Sequence, residues 1–417
     1  MSLRRVLITG SGTVSPFGLG REALINGLYS GSSAVTSLKE QWNDKISDLN
    51  CWVGAPLKEK LPLKSIGRKF RRTMGNTAIM GVLAAKEAIE NSAVSDNIFQ
   101  SGRCGVSFSS TTGSTHSLSS FFKEYYDKAS LKNVSSGLFF QVMSHTTAAN
   151  VAHAFNITGR VISPDAACSS SAQAIGLGFE AIKHGIQDVM LCGGSDELDA
   201  IVCGTFDLLN ATSYRYNDHP EKTPRPFDAN RDGTVCGEGA GCLVLEAEES
   251  ALSREAPILA EVIGFSTLSD GSHLAQPHSE SIVKCIEGAL HNAGIAPGDV
   301  DYINAHATGT LLGDAAEAEA INKVFGDKAV PVSSLKGHMG HTLGASGVLE
   351  LAASLAMMER GKLVPSLNFE LAGEGCREID CFKSVREGEI NIIMKNSFAF
   401  GGINVVLILR RYKKDND

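Results

Sequence analysis

The sequence lacks several features that would assign it to a specialised class of protein. No apolar run approaches the roughly 20 residues of a membrane-spanning helix. The ten cysteines form no Cys-x-x-Cys pair, so a zinc or redox site is not expected. Aromatic residues make up only 6% of the 417 residues, and basic residues (38) are fewer than acidic ones (46). We therefore predict a globular protein with an aliphatic core, without a metal and without nucleic-acid or membrane partners.

The amino-terminal residues also lack the pattern of a targeting signal. The segment MSLRRVLITG is too short and too soon followed by polar residues for a signal peptide, and it indicates a first β-strand. We therefore predict a cytoplasmic protein with free cysteine thiols.

Short β-branched runs alternate with longer helical patterns along the chain, which predicts a layered α/β fold. Predicted helices include 169–184 and 279–293. The segments EGAGCLVLE (238–246) and FGGINVVLIL (400–409) both lead from a Gly-rich turn into an apolar strand. They indicate either a duplicated unit, with a junction near 247–256, or a chance recurrence.

The segment DAACSSSAQAI (165–175) places Cys168 between a strand-like run and a helix of small residues. At a helix amino terminus the macrodipole and the unpaired N–H groups favour a thiolate. The pattern is typical of a nucleophile on a tight turn. A buried structural cysteine fits it about equally well.

Two histidine-containing segments follow predicted strands. In YINAHATGT (302–310), His306 is placed to act as an acid, a base or an oxyanion donor. In KGHMGHTLGASG, Lys336, His338 and His341 lie between a strand and a helix, and no third metal ligand follows at the usual spacing. Glu350, on that helix, is placed to pair with Lys336. A lone histidine is more often structural than catalytic.

Two further segments complete the set of candidate features. The turn NSFAFGGIN (396–404) can offer backbone N–H groups to an oxyanion. The stretch 58–72 carries seven basic residues and one acid in a chain of net charge −8. Such a run is usually solvated surface; the functional interpretation is docking of an acidic partner.

A cysteine, a histidine, a lysine, a second histidine and a Gly-rich turn, in this order along the chain, resemble the β-ketoacyl-[acyl-carrier-protein] synthases of the thiolase superfamily. The likeness extends over nearly the whole chain and includes RPFDANRDGTVCGEGAGCLVLE (225–246). It is to the elongating class with a Cys-His-His triad, like synthase II of bacterial fatty acid synthesis. The resemblance implies a duplicated thiolase-like fold in five layers, α-β-α-β-α. We predict halves at residues 1–250, with dimer and cap insertions, and 251–417.

The resemblance also implies the chemistry. Cys168 would accept the acyl group from an acyl carrier thioester, with its own N–H and that of Phe400 holding the oxyanion. His306 and His341 would stabilise the enolate formed as malonyl thioester loses carbon dioxide, and the product is two carbons longer. Lys336 and Glu350 would order the site.

Other residues match the family's binding positions. Thr308 and Thr310 match positions that bind the phosphopantetheine arm, Phe398 and Phe400 match the gate, and Thr112 lies in the acyl-pocket segment. No enzyme-bound cofactor is implied, because pantetheine arrives on the carrier. The implied partners are the acyl carrier protein, with its acyl and malonyl groups, and a second copy of the chain. Since acyl carrier proteins are acidic, the residues predicted to dock one are Lys64, Arg68, Lys69, Arg71 and Arg72.

Departures from the family pattern leave alternatives open. Thr112 replaces a residue that is often bulky and apolar, and Ala399 replaces a gate glycine. A specialised synthase that elongates an aryl, polyene or polyketide chain on a dedicated carrier is therefore one alternative. A non-catalytic partner subunit is another, although such subunits usually lack the cysteine. A thiolase would need a second cysteine within 396–404, and a chain-initiating synthase would have asparagine in place of His341.

Overall fold

The computed structural model describes residues 3–326 and 330–414. The strands are β1 Val6–Ser15, β2 Gly18–Leu19, β3 Thr36–Ser37, β4 Val53–Gly54, β5 Cys104–Ser109, β6 Val161–Ile162, β7 Val189–Asp196, β8 Gly239–Ala247, β9 Ala260–Ser269, β10 Tyr302–Asn304, β11 Pro331–Ser333, β12 Lys362–Leu363, β13 Asp380–Cys381, β14 Arg386–Glu387, β15 Ile392–Ala399 and β16 Ile403–Arg410. The α-helices are α1 Arg21–Tyr29, α2 Lys39–Trp42, α3 Arg68–Arg71, α4 Asn76–Ser92, α5 Thr115–Lys128, α6 Ser136–Val142, α7 Thr146–Ala154, α8 Ser170–Lys183, α9 Ala200–Leu208, α10 Glu248–Ser253, α11 Ser279–Ala293, α12 Leu311–Phe325, α13 Lys336–Met339 and α14 Ser346–Arg360.

The main strands form one hydrogen-bonded ladder of two similar halves, in the order β13-β11-β10-β15-β16-β9-β1-β8-β7-β5-β6. The halves meet where β1 pairs with β9 over only three residues, Val6–Ile8. On one side, β1, β8, β7, β5 and β6 pair twice antiparallel and then twice parallel. On the other, β9, β16, β15, β10 and β11 follow the same pattern. The two Gly-rich segments found in the sequence lead into β8 and β16, which occupy equivalent positions, so the duplication is real.

The two halves of the ladder form two sheets, the first from β1 to β6 and the second from β9 to β13 in the strand order above. Helices fill the space between these sheets and cover their outer faces. The middle layer is α8 and α14: α8 contacts β7 and β16, and α14 contacts β8 and β15. Helices α4 and α7 cover the first sheet, and α11 with α12 covers the second. This arrangement confirms the predicted α-β-α-β-α fold. The domain boundaries at 1–250 and 251–417 stay a prediction.

The middle layer explains why α14 is apolar around most of its circumference. Every residue from Ser346 to Met358 is buried, because sheets or helices surround this helix on all sides. The enclosed core is mainly aliphatic, as the low aromatic content predicts. No helix within 3–326 and 330–414 combines the length and the apolar character needed to cross a membrane.

The topology brings four turns to one place. One turn precedes α8, a second follows β10, a third joins β11 to α14, and the fourth joins β15 to β16. These turns carry Cys168, His306, His341 and Phe400, respectively.

Candidate active site

Cys168 lies in a short 3-10 turn, Ala167–Ser169, that leads directly into α8. Ala167 has φ of 45°, a left-handed conformation that residues with a side chain rarely adopt. The turn is held by a hydrogen bond from the backbone N–H of Ala166 to the hydroxyl of Ser170, at 3.0 Å. The predicted tight turn before a helix is therefore present, and Cys168 lines a cavity.

The predicted thiolate, however, is wrong for this closed site. The thiol is 4% exposed, and burial raises the pKa of Cys168 to about 12, although the Lys336 ammonium opposes that rise. Burial disfavours the thiolate, because the charged sulfur would lose its water. Cys168 therefore carries its proton at neutral pH.

His306 follows β10, and α12 fixes its backbone. The Glu317 carboxylate accepts hydrogen bonds from the N–H groups of His306 (2.9 Å) and Ala307 (2.7 Å). It also accepts one from Nδ2 of Asn396, at 3.0 Å. The structure shows that Glu317 holds the histidine loop.

His341 lies beside His306, with the ring centroids 5.4 Å apart and the rings edge to face. Nδ1 of His341 is 2.9 Å from the hydroxyl of Ser346. Nε2 is buried and has no hydrogen-bond partner within the described residues, so this atom is available to a substrate. Burial and the charge of Lys336 hold the pKa of both histidines well below the usual range. Both rings are therefore neutral, and each can donate one hydrogen bond.

The predicted pair of Lys336 and Glu350 is present. The Lys336 ammonium is 2.6 Å from Oε1 of Glu350, and both side chains are fully buried. The other carboxylate oxygen, Oε2, lies 2.7 Å from the ammonium of Lys395 on β15. Sequence analysis missed Lys395, because it stands in an apolar strand and contacts a residue 45 positions earlier.

A cavity of about 360 Å3 lies where the four turns meet. Cys168, His306 and His341 line it together with residues matched to substrate binding, namely Thr308, Thr310, Phe398 and Phe400. The hydroxyls of Thr308 and Thr310 are 3.2 Å apart. The exposed side chains of Leu274 and Leu312 stand at the solvent side of the lining. The structure thus brings the sequence-predicted residues of four separate segments into one cavity.

The gate turn, which joins β15 to β16 and contains Phe400, is hydrogen-bonded to a second loop, 270–277. Sequence analysis did not identify this loop. The N–H of Gly401 donates to the carbonyl of Leu274 at 2.7 Å, and the N–H of Asp270 donates to the carbonyl of Gly402 at 2.9 Å. Gly401 and Gly402 have φ of 91° and 72°, values that favour glycine. The Phe400 ring packs against Phe206, with centroids 5.8 Å apart.

Thr112 stays a predicted acyl-pocket residue. Its side chain is exposed, and it does not line the cavity in the described chain. The buried Asp196 carboxylate accepts hydrogen bonds from the Ser110 hydroxyl and the Thr111 N–H, and the chain then turns outward. The neighbouring Thr111 contacts the nucleophile turn instead, since its hydroxyl donates to the carbonyl of Ala167 at 3.2 Å.

The basic residues of 58–72 lie on the surface, in and around α3. Within the part of the chain that the structure describes, none of the residues predicted to dock a carrier forms an ion pair: Lys64, Arg68, Lys69, Arg71 and Arg72. The ammonium of Lys69 stacks on the ring of Phe70, 4.6 Å from its centroid. This surface is therefore positively charged and open to an acidic partner.

His338 has a structural environment. Its ring is buried outside the cavity lining, and Nε2 is 3.0 Å from the carbonyl of Pro365. Among the described residues, no group of three or more His, Cys, Asp or Glu side chains is arranged to hold a metal ion.

Comparison with known proteins decides the family. The family model "Beta-ketoacyl synthase, N-terminal domain" matches residues 3–251, and "Beta-ketoacyl synthase, C-terminal domain" matches residues 259–370. The chain belongs to the β-ketoacyl synthase family. This β-ketoacyl synthase is 35% identical, over 412 residues, to 3-oxoacyl-[acyl-carrier-protein] synthase 1 of Escherichia coli K12. That match covers 99% of this chain and 100% of the relative.

Solved structures agree with this assignment. A β-ketoacyl synthase from Burkholderia phymatum STM815 has a TM-score of 0.94 at 39% identity, covering 99% of this chain and 100% of that one. The type II polyketide complex AntDE:AntF, an acyl-carrier protein with its ketosynthase bound to the hexaketide, has a TM-score of 0.89 at 26% identity. It covers 99% of this chain and 100% of that one. The predicted family, fold and enzyme class, a condensing acyltransferase, are confirmed.

Proposed function

We propose that this β-ketoacyl synthase extends an acyl chain by two carbons, using malonyl-[acyl-carrier-protein] and Cys168 as the nucleophile. The observation that carries the proposal is the meeting of one cysteine and two neutral histidines in a single cavity. A cysteine there can hold an acyl group, while two uncharged imidazoles can stabilise an enolate without protonating it outright.

The first step is transfer of the acyl group. The Cys168 sulfur attacks the thioester carbonyl of the acyl carrier, the new S–C bond forms, and the pantetheine S–C bond breaks. The thiol proton passes to the departing pantetheine sulfur, because the buried Cys168 is protonated at rest. We assign the oxyanion to the backbone N–H groups of Cys168 and Phe400, where one such donor is worth about 3 kcal/mol.

The second step releases carbon dioxide from the malonyl thioester. The bond to the carboxylate carbon breaks, and its electron pair forms an enolate at the thioester oxygen. We assign the hydrogen bonds to that oxygen to His306 and to Nε2 of His341, the buried atom without a partner. The enolate carbon then attacks the acyl-Cys168 carbonyl. The S–C bond breaks, and the sulfur takes up a proton from solvent water, which restores the Cys168 thiol.

Binding of the carrier is assigned to two regions. Thr308 and Thr310 would hold the phosphopantetheine arm inside the cavity, and the basic residues around α3 would hold the acidic carrier outside it. The AntDE:AntF complex supports a carrier partner, since a ketosynthase of similar fold is bound there to its acyl-carrier protein. No enzyme-bound cofactor enters this scheme.

The proposal includes a homodimer. The ladder ends at the edge strand β6, where Val161 is exposed. Apolar side chains on α5 and α6 are exposed nearby in the sequence, among them Tyr126 and Phe139. An unpaired edge strand and exposed apolar side chains both favour non-specific association. A second copy of the chain that covers them would pair the strand and bury the side chains. A cytoplasmic location stays a prediction from the sequence.

The specialised synthase remains a second candidate. Ala399 stands in the gate, and the polyketide complex AntDE:AntF resembles this chain at 26% identity. Intact-mass measurement of acyl transfer separates the candidates. Saturated C4 to C16 carriers and an aryl-enoyl carrier are offered to the purified protein, followed by malonyl carrier.

Extension of saturated chains would assign the protein to fatty acid synthesis, whereas loading of the aryl-enoyl chain alone would assign it to a specialised pathway. The matched control is Cys168→Ala, which should fold and show no adduct. An adduct that persists in this variant, or no adduct with any donor, would overturn the assignment of Cys168 and revive the partner-subunit alternative.

A further inference from the structure

Lys395 is a fully buried lysine for which the reaction above has no role. It lies on β15, and its ammonium is 2.7 Å from Oε2 of Glu350. The ammonium also donates a hydrogen bond to the backbone carbonyl of Asn396. A buried lysine is costly, because the charged group loses its water, and such residues are usually paired.

The positive charge of Lys395 is only partly balanced by its ion-pair partner. Glu350 binds Lys336 through Oε1 and Lys395 through Oε2, so one carboxylate faces two ammonium groups. This trio of Lys336, Glu350 and Lys395 carries one excess positive charge. A further buried acid, Glu317, also stabilises the charge of Lys395, and it accepts a hydrogen bond from the side chain of Asn396. Asn396 therefore connects the trio to the carboxylate that holds the His306 loop.

The excess charge acts on the two histidines. Lys336 and Lys395 both lower the pKa of His306 and of His341, in addition to the effect of burial. Burial in turn lowers the pKa of Lys395 itself to about 8, while Glu350 opposes that change. The charged and titratable groups that surround the trio are Glu317 on α12, Tyr302 on β10, and Cys168, His306 and His341 at the cavity.

We propose that Lys395 is a positioning residue whose buried positive charge keeps His306 and His341 as neutral hydrogen-bond donors during decarboxylation. The same charge offsets the negative charge that the malonyl carboxylate brings into a closed cavity. This inference rests on the proposed condensation activity and adds a residue to it. Lys395 does not line the cavity, so it acts through the histidines and Glu350 rather than on the substrate.

The test removes the charge and leaves the Lys336–Glu350 pair in place. Lys395→Met removes both charge and hydrogen bonding, and Lys395→Gln keeps a donor for Glu350 without the charge. Decarboxylation of malonyl carrier is measured from pH 5.5 to 9.5, alongside the single-turnover rate of Cys168 acylation and the melting temperature. The matched control is Lys323→Met, since Lys323 is an exposed lysine on α12 with ion-pair partners Glu280 and Glu319.

The expected result is a change in the shape of the pH profile. Without the second cation the histidine pKa values rise, so the acidic limb of decarboxylation moves to higher pH. The variants should therefore lose more kcat at pH 5.5 than at pH 7.5, and less than the 10²–10³ that one direct oxyanion donor is worth. Acylation should change less than threefold. Because the charge of Lys395 also offsets the malonyl carboxylate, the wild-type protein should lose activity as pH rises through about 8, where Lys395 loses its proton, and the variants should lack that limb.

Three outcomes would overturn the inference. One is a loss of equal size at every pH, together with a lower melting temperature, because that result describes a structural residue. Another is a variant profile that matches the wild type and Lys323→Met. The third is a wild-type profile without an alkaline limb near pH 8, which decides the question even where neither variant folds. Absence of decarboxylation in the wild type would instead reject the proposed function.

Discussion

Individual buried side chains determine which protonation states this site can use. Cys168 starts as a thiol, and the histidines start as neutral rings, so the resting cavity holds no cysteine–histidine ion pair. Condensation therefore begins from uncharged reacting groups, with charge confined to the lysines and glutamates behind them.

Alkylation of Cys168 should reveal its raised pKa. Because the thiolate is the reactive form and the pKa is about 12, the thiolate fraction grows about tenfold for each pH unit well below that value. We expect the rate of iodoacetamide labelling to rise steadily from pH 7 to 10. Peptide mass spectrometry measures it at this one residue, and Cys168→Ser provides the blank. A plateau below pH 8 would contradict the prediction.

Single residues also show where sequence reasoning reaches its limit. Cys168, His306 and His341 stand in short segments whose local pattern and family likeness identify them, and the cavity contains all three. No local pattern marks Lys395, because its role depends on an ion pair with Glu350, which lies in another layer of the fold. The hydrogen bonds of Ser110 and Thr111 to Asp196 were not predicted for the related reason that Asp196 is distant in the sequence.

The helices and strands were predictable wherever one face of an element is buried. Helix α11 was expected at 279–293 and found at Ser279–Ala293, with Ile282, Ile286 and Leu290 on its buried face. The helices α5 and α6 were missed. The aromatic residues of these two helices are partly exposed in the single chain, so the spacing of apolar residues there does not indicate a buried face.

Helix α12 provides a test of how an element positions the site. We expect Glu317→Gln to destabilise the protein by about 2 kcal/mol, because an amide cannot accept all three hydrogen bonds that reach the buried carboxylate. Urea unfolding measures that cost. Condensation should slow as well, since the His306 loop loses its anchor. Glu319→Gln is the control, an exposed residue on the same helix with an ion pair to Lys323. Equal effects of the two substitutions would refute this role.

The gate turn provides a second test at this scale. In Gly402→Ala the new Cβ would lie 2.8 Å from the Asp270 carboxylate, so this carboxylate must move, although it accepts hydrogen bonds from the N–H and the hydroxyl of Ser272 within loop 270–277. Gly271→Ala is matched in backbone strain, with φ of 64°, but its Cβ meets no described atom within 4 Å. We expect acylation from an acyl carrier to fall at least tenfold in the first variant and to stay near wild type in the second. Similar rates for both would show that strain alone matters.

The charge distribution of the whole molecule governs its encounter with the carrier. The net charge is −8, yet the surface around α3 is basic, so we expect this surface to attract an acidic carrier. Arg68→Glu combined with Lys69→Glu should raise KM for an acyl carrier about tenfold and leave KM for a free acyl-pantetheine unchanged. Lys284→Glu, an exposed site on α11, is the control. A rise with both substrates would locate the defect inside the cavity.

The middle layer joins the two halves more firmly than the short pairing of β1 with β9. Helix α8 comes from the first half and α14 from the second, and each contacts strands of both sheets. A half made alone would leave exposed those parts of its sheet and of its middle helix that the other half covers. Two fragments divided after Glu255 should therefore be inactive apart and regain activity when mixed. The continuous peptide chain keeps the two halves close to each other, whereas the shared layer of α8 and α14 lets each half bind the other specifically.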